Sequence, residues 1–111
     1  MAAPVGIDRT AVVDAAIVVL EHEGRVSGVA LRPVAERLGI RVQSLYAHVD
    51  SVDDLRRALA LRGLDALAAV LTDAALGRSG ADALDAIVRA YWTFAVDNPG
   101  LFDATLSPPG D

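Results

Sequence analysis

The sequence predicts an all-α protein, and two features of its patterning support that fold class. Apolar residues recur at intervals of three and four positions through most of the 111 residues, as they do along one face of an α-helix. No segment keeps the strict apolar–polar alternation that marks a half-buried strand. Hydrophobic residues make up 53% of the chain, so the helices have enough apolar material to enclose a core.

The first predicted helix covers residues 9–23. Asp8 has a side chain suited to capping its N-terminus, and apolar residues from Val13 to Leu20 then recur at helical spacing. Gly24 is suited to end the helix, because glycine adopts the left-handed backbone of a helix C-terminus at little cost.

Two short helices are predicted next, over 31–38 and 42–48, with a tight turn between them. A helix-turn-helix needs a small residue where the two helices cross and a residue that accepts a positive φ at the turn. Ala35 and Gly39 meet these needs, and Pro33 is tolerated because it lies in the opening turn. Buried apolar positions are expected on both sides of the turn, at Val34, Leu38, Ile40, Leu45 and Val49.

A long helix is predicted over 52–75. Ser51 followed by Asp54 resembles a capping box at its start, with Asp in the place of Glu. The helix is apolar around much of its circumference, so we expect it to be central and packed on two sides.

Two further helices follow a break at 77–80. The first is predicted over 81–97. Asn98-Pro99 is expected to cap and begin the second, which runs through Leu106 and is stopped by the segment 107–110, Ser-Pro-Pro-Gly.

Charge is unevenly distributed along the chain. The formal net charge is −5, but the segment 25–62 holds seven arginines against four carboxylates, whereas 1–24 and 63–111 are acidic. A basic segment in an acidic chain suits a nucleic-acid-binding surface, although ordinary solvated helices also show such asymmetry.

Several function classes are disfavoured by what the sequence lacks. No apolar run approaches the roughly 18 residues of a membrane span, and the first residues lack the basic-then-apolar order of a signal peptide. Without cysteine there is neither a disulfide nor a thiolate metal site. His22 and His48 stand far apart, with no carboxylate cluster suited to a metal or to catalysis. We expect a soluble cytoplasmic protein that is not an enzyme and uses no metal or cofactor.

The second helix of the helix-turn-helix is expected to present polar side chains to solvent. If Leu45 faces the core, the exposed residues are Arg41, Gln43, Ser44, Ala47 and His48. In this motif, the N-terminal residues of the second helix reach base edges in the major groove of DNA.

The same segment resembles the N-terminal domain of TetR-family transcriptional regulators. The similarity rests on residues 31–40, LRPVAERLGI, followed by 44–49, SLYAHV, which include the family's LY-x-H recognition helix. It covers about 7–60, and the run 91–102 is similar, less specifically, to the start of the family's ligand-binding domain.

The resemblance implies a DNA-binding domain over 7–51 and the start of a helical ligand-binding and dimerisation domain over 52–111. Gln43 could then pair with adenine, or Arg41 with guanine, each through two hydrogen bonds. The implied set of DNA-contacting residues is Arg32, Arg41, Val42, Gln43, Ser44, Tyr46, Ala47 and His48.

Within that set, Tyr46 and His48 match family positions that contact phosphate. The alternative for Tyr46 is half-buried packing, and the alternative for His48 is a cap on the last turn of its helix.

The sequence departs from the family pattern at two phosphate-contacting positions. Ala30 and Leu31 stand where the family usually has Ser or Thr at the start of the second helix, and Val52 stands where a Lys is common. Both departures predict weaker and less salt-dependent DNA binding, unless Arg56 and Arg57 take over these roles.

Four aromatic residues in the second half of the chain are most simply core residues. The functional alternative is that they line a pocket for a small-molecule effector, as the resemblance would imply. They are Tyr91, Trp92, Phe94 and Phe102.

The chain is shorter than a complete regulator of this kind. Family members are usually nearly twice as long and dimerise through their last helices, so we expect a fragment or a short variant. The resemblance implies a ligand-responsive repressor that binds a palindromic operator in double-stranded DNA as a homodimer. A second hypothesis is a helical effector-binding or protein-interaction module whose DNA-binding surface has decayed, which Ala30 and Val52 favour.

Overall fold

The computed structural model describes residues 6–107, and within that range every regular element is helical. A 3-10 turn, Val26–Gly28, lies between the first two of six α-helices. The helices are α1 (Arg9–Glu23), α2 (Leu31–Leu38), α3 (Val42–Leu45), α4 (Val52–Ala75), α5 (Gly80–Asp97) and α6 (Pro99–Leu106). The prediction of an all-α protein with a helix-turn-helix is confirmed. The proline–glycine stop expected at 108–110 lies outside the described residues.

Both ends of α1 are made by the predicted residues. The Asp8 carboxylate accepts the Ala11 N–H at 2.8 Å, which satisfies one of the amides left free at a helix start. Gly24 has a φ of 84° and donates its N–H to the Leu20 carbonyl, so it ends the helix in the left-handed conformation.

The turn between α2 and α3 also follows the sequence prediction. Gly39 has a φ of 72°, and the next residue, Ile40, donates its N–H back to the Ala35 carbonyl at 3.0 Å. Val34 and Ala35 are buried where the two helices meet. The turn therefore fixes the direction in which the chain enters α3.

Helix α3 is shorter than the predicted 42–48. Regular α-helix ends at Leu45, and the chain continues through Tyr46–His48 as hydrogen-bonded turns in which the His48 N–H donates to the Leu45 carbonyl at 2.8 Å. We call Val42–His48 the recognition segment. Its one helical turn is too short to be stable alone, so packing against the rest of the domain must hold it.

One hydrophobic core joins the helix-turn-helix to the following helices. It is centred on α1, and α2, α3, the first half of α4 and α6 all contribute buried residues to it. Its largest fully buried side chains are Leu20, Leu45, Leu55, Leu59, Val12, Val29, Val34 and Val49.

Helix α6 packs directly on α1 through an unforeseen cap. The Glu21 carboxylate of α1 accepts the backbone N–H groups of Gly100 and Leu101, both at 2.9 Å. The side chain of Asn98 does not cap this end as the sequence predicts, and it donates to the Phe94 carbonyl of α5 instead. A carboxylate at a helix N-terminus is favourable because it meets the positive end of the helix dipole.

Helices α4 and α5 are less enclosed than predicted. Only the first half of α4 is buried, at Leu55, Leu59, Ala60 and Gly63, so its second half is not packed on two sides. The simple core expectation is also wrong for two aromatic residues of α5, since Trp92 is 71% exposed and Tyr91 lies at the surface. The reason is that α5 is apolar on two faces, and within residues 6–107 only one of them packs against neighbouring helices.

Candidate DNA-binding surface

The recognition segment buries Leu45 and leaves most of its other side chains exposed. Leu45 is fully buried and Val42 is half-buried, whereas Gln43, Ser44 and Ala47 are exposed. Within α3 this pattern follows from the helical period, because residues 42 and 45 lie on the face toward the core. The three exposed side chains therefore lie together on the outer face.

The other predicted site residues lie around that outer face. Arg41 precedes α3 and is exposed, and Arg32 is exposed in the first turn of α2. Tyr46 is 54% exposed at the end of α3, so the prediction that it could reach a phosphate is compatible with its position. His48 is half-buried, and its carbonyl accepts a hydrogen bond from Arg9 of α1 at 2.9 Å.

Ion pairing separates the arginines of the described residues into two groups. Arg9, Arg56, Arg62, Arg78 and Arg89 pair with carboxylates. The guanidinium groups outside ion pairs within residues 6–107 are those of Arg25, Arg32, Arg37, Arg41 and Arg57. Four of these five lie within residues 25–41, so the positive charge outside ion pairs is concentrated at the helix-turn-helix and just before it.

The Arg56 guanidinium is held by contacts within the protein. Its guanidinium donates to the carbonyl of Val29 at 2.8 Å and to that of Ser27 at 3.1 Å, and it lies 3.7 Å from the Asp53 carboxylate. These contacts hold the chain that leads into α2. Of the two arginines considered as substitutes, only Arg57 is exposed and outside an ion pair among the described residues.

The start of α2 lacks a side-chain cap. Ala30 occupies the N-cap position, and no side chain accepts from the first amides of the helix. The departure from the family pattern at Ala30 therefore leaves backbone N–H groups at this end available to another acceptor.

The start of α4 carries a variant of the predicted capping box. The Ser51 hydroxyl accepts the Asp54 N–H at 3.0 Å, as predicted. The Asp54 carboxylate, however, accepts the Asp50 N–H at 2.9 Å and both terminal guanidinium nitrogens of Arg9, at 3.0 and 3.2 Å. The hydrogen bond from Arg9 is the main reason that the pKa of Asp54 is lowered, and the Asp50 N–H adds to it.

The lowered pKa of Asp54 gives a pH-dependent prediction. Its ionised form is favoured by folding, so the stabilisation is fully present above the ordinary carboxyl range near pH 4 and disappears as pH falls through the folded-state pKa. We expect Asp54→Asn to have a lower melting temperature than the unmodified chain at pH 7, with the gap closing as pH falls below the ordinary carboxyl range and through the lowered pKa of Asp54.

Thermal unfolding followed by circular dichroism from pH 7 to pH 2 tests this expectation. Asp53→Asn is the matched control, because the Asp53 side chain is 64% exposed and its nearest guanidinium nitrogen is 3.7 Å away. A gap for Asp54→Asn that does not change with pH would contradict the assignment.

The four aromatic residues considered for an effector pocket do not line one cavity. Phe94 is buried at an open groove of about 620 Å³ between α4 and α5, whose rim includes Asp73, Arg89 and Asp97. Trp92 borders a separate hollow on the outer side of α5. Tyr91 and Phe102 instead pack edge to face, with ring centroids 5.5 Å apart.

Across residues 6–107, no three side chains of His, Asp or Glu are grouped so that they could bind a metal ion. None of the helices in the same range is both long and apolar enough to span a bilayer.

Two curated proteins named HTH-type transcriptional regulators are similar in sequence to this chain. The chain is 35% identical over 106 residues to the uncharacterized HTH-type transcriptional regulator YobS of Bacillus subtilis, covering 96% of this chain and 55% of that protein. It is 35% identical over 109 residues to the uncharacterized HTH-type transcriptional regulator Rv0681 of Mycobacterium tuberculosis, covering 98% of this chain and 50% of that protein.

The similarity therefore extends over nearly the whole chain and includes the recognition segment. The chain spans about half the length of the curated relatives it matches. No protein-family model matches the sequence.

Proposed function

We propose that this chain is the DNA-reading part of a transcriptional regulator and that the recognition segment enters the major groove of double-stranded DNA. The observation that carries this proposal is the outer face of α3, where Gln43 and Ser44 are exposed above the buried anchor Leu45. The similarity to two proteins named HTH-type transcriptional regulators supports it. We propose no catalytic step for this chain and infer that it acts in the cytoplasm.

Base recognition is assigned to the start of the recognition segment. The side-chain amide of Gln43 can donate to N7 of adenine and accept from its N6 amino group, and both hydrogen bonds require the exposed position that Gln43 has. Arg41 is suited to the two acceptors of guanine, and the exposed Ser44 and Ala47 complete the surface that faces the bases, with the half-buried Val42 at its edge.

Contacts with the DNA backbone are assigned to the residues around that surface. Arg32, Tyr46 and His48 are the candidate phosphate contacts, and the uncapped amides of α2 add neutral donors. Because Ala30 and Val52 remove two family contacts and Arg56 is held by carbonyls, we expect a shallow dependence of affinity on salt.

The domain organisation, the homodimer and the effector are proposed from the TetR-family resemblance. We propose a DNA-binding domain over 7–51 and, over 52–111, the start of a domain that binds an effector and forms a homodimer. In this scheme two recognition segments bind a palindromic operator about one DNA turn apart, and a small molecule between the later helices releases the repressor. The open groove beside Phe94 is the part of the described structure that supports an effector site.

DNA binding is tested by replacing Gln43. We expect Gln43→Ala to weaken binding to a fluorescein-labelled duplex from upstream of the protein's own reading frame by roughly 5- to 100-fold, since the variant cannot pair with a base. Fluorescence anisotropy at several salt concentrations measures this, and the salt slope should not change because Gln43 carries no charge.

The control for that experiment is Thr72→Ala, an exposed polar residue on α4 far along the chain from the recognition segment. Equal affinity of Gln43→Ala and the unmodified chain, or no binding at low salt, would count against DNA reading.

A second function, a protein-interaction module, is favoured by one observation. An outer stripe on α5 places Leu84, Val88, Trp92 and Val96 at the surface, and contiguous exposed apolar side chains mark interaction sites. A chain that fails to bind DNA at low salt but associates with a partner through this stripe would support that alternative.

A further inference from the structure

One guanidinium joins three elements at the base of the recognition segment. Arg9, the first residue of α1, donates to both carboxylate oxygens of Asp54 in α4 and to the His48 carbonyl at the end of the recognition segment. These contacts connect residues 39 and 45 positions apart in the sequence. Asp54 in turn accepts the Asp50 N–H. The linker between the recognition segment and α4 is therefore held by Arg9 at the His48 carbonyl and by Asp54 at the Asp50 amide.

The recognition segment has few other restraints at this end. Its helix is a single turn, with Leu45 and Val49 providing the buried apolar anchors. Apolar contacts fix how deep a segment lies but constrain its rotation less than directional hydrogen bonds do. The planar fork of an arginine satisfies several acceptors in one fixed geometry, which a lysine cannot do.

We infer that Arg9 is a positioning residue for DNA binding, which sets the angle of the recognition segment by holding the His48 carbonyl and Asp54 together. This inference rests on the proposed DNA-reading function. Arg9 acts through the backbone of the segment and does not itself bind phosphate. Its partner Asp54 is therefore required for DNA binding although it carries a negative charge.

The effect of the Asp54 charge on DNA affinity distinguishes a positioning role for Arg9 from a direct phosphate contact. If Arg9 bound phosphate, removing the Asp54 charge would free the guanidinium and reduce repulsion of DNA, so affinity would rise. We call the hydrogen bonds from Arg9 to the His48 carbonyl and to Asp54 the clamp. If Arg9 positions the recognition segment, removing the Asp54 charge releases this clamp, so DNA affinity falls. The two roles predict changes of opposite sign for Asp54→Asn.

The experiment measures DNA affinity of the 111-residue chain by anisotropy, using the labelled upstream duplex and a series of NaCl concentrations. We expect Arg9→Gln and Asp54→Asn each to weaken binding by roughly tenfold, as small displacements of a reading surface do. The double variant should be no weaker than either single variant, because both changes open the same clamp.

The salt dependence gives an independent readout. If Arg9 bound phosphate, Arg9→Gln would reduce the slope of log affinity against log salt by about one, whereas a positioning role leaves that slope unchanged. Asp53→Asn is the matched control, since it removes the same charge one residue away and should leave affinity unchanged or slightly higher. Tighter binding by Asp54→Asn, or a reduced slope for Arg9→Gln, would overturn the inference.

Amide hydrogen exchange tests the clamp without DNA. The amides of His48 and Val49 both donate to the Leu45 carbonyl, at 2.8 and 3.0 Å, and should exchange faster in both clamp variants than in the unmodified chain, while amides in α5 should not. Unchanged exchange at these two amides would overturn the inference whether or not DNA binds. Absence of DNA binding by the unmodified chain would instead reject the proposed function.

Discussion

Replacing Gly100 with alanine is expected to destabilise the fold by about 3 kcal/mol. A Cβ atom at this position would lie 2.6 Å from the Leu20 carbonyl oxygen and 2.9 Å from its carbonyl carbon. Both are backbone atoms within α1 and cannot rotate aside. The N-terminus of α6 would have to move away from α1, which would also lengthen the two hydrogen bonds from its amides to Glu21.

Urea or thermal unfolding followed by circular dichroism measures this effect, and we expect the melting temperature to fall by roughly 10 °C or more. Gly28→Ala is the matched control. Its Cβ atom would lie 3.1 Å from a carboxylate oxygen of Glu23, which can turn away, and 3.3 Å from the Glu23 Cβ, a contact that a shift of a few tenths of an ångström relieves. The control should stay within about 0.5 kcal/mol of the unmodified chain, and equal stability of the two variants would contradict the close packing of α6 on α1.

Truncation of Leu45 to alanine is expected to cost about 2–5 kcal/mol and to abolish DNA binding. Leu45 is fully buried and is the only wholly buried residue of α3. Its truncation leaves a cavity beneath a one-turn helix, which has no further turns to keep it in place. The reading surface should therefore lose its orientation even at temperatures where the remaining helices stay folded.

Leu84→Ala provides the comparison, because Leu84 is 63% exposed on α5 and the same atoms are removed. We expect it to change stability by no more than about 0.5 kcal/mol and to leave DNA affinity unchanged. Unfolding curves and anisotropy with the labelled upstream duplex, recorded at low and at room temperature, separate a change of orientation from global unfolding. Undiminished DNA affinity of Leu45→Ala would contradict the role given to this anchor.

Local signals in the sequence are sufficient to predict most of the fold. Asp8 and Gly24 bound α1, and Gly39 turns the chain between α2 and α3, because each acts on atoms within a few residues of itself. The predicted α3 is three residues too long, since its apolar pattern continues to Val49 although the regular hydrogen bonding ends at Leu45.

Contacts between distant residues cannot be predicted in the same way. Nothing near Glu21 in the sequence indicates that it accepts amides 79 and 80 positions later, and Arg9 gives no local sign of its bonds to His48 and Asp54. The exposed face of α3 is predictable because it depends only on the helical period. Its DNA contacts stay a prediction, as do the effector and the homodimer.

The exposed Trp92 side chain is an intrinsic fluorescence probe of the surface of α5. It is the single tryptophan of the sequence, so all indole emission comes from the outer side of α5. An indole in contact with water emits at longer wavelength and is quenched by iodide, and both properties reverse when another surface covers it. Changes in tryptophan emission therefore report on what happens at the outer side of α5, whereas the recognition segment contains no tryptophan and contributes no indole emission of its own.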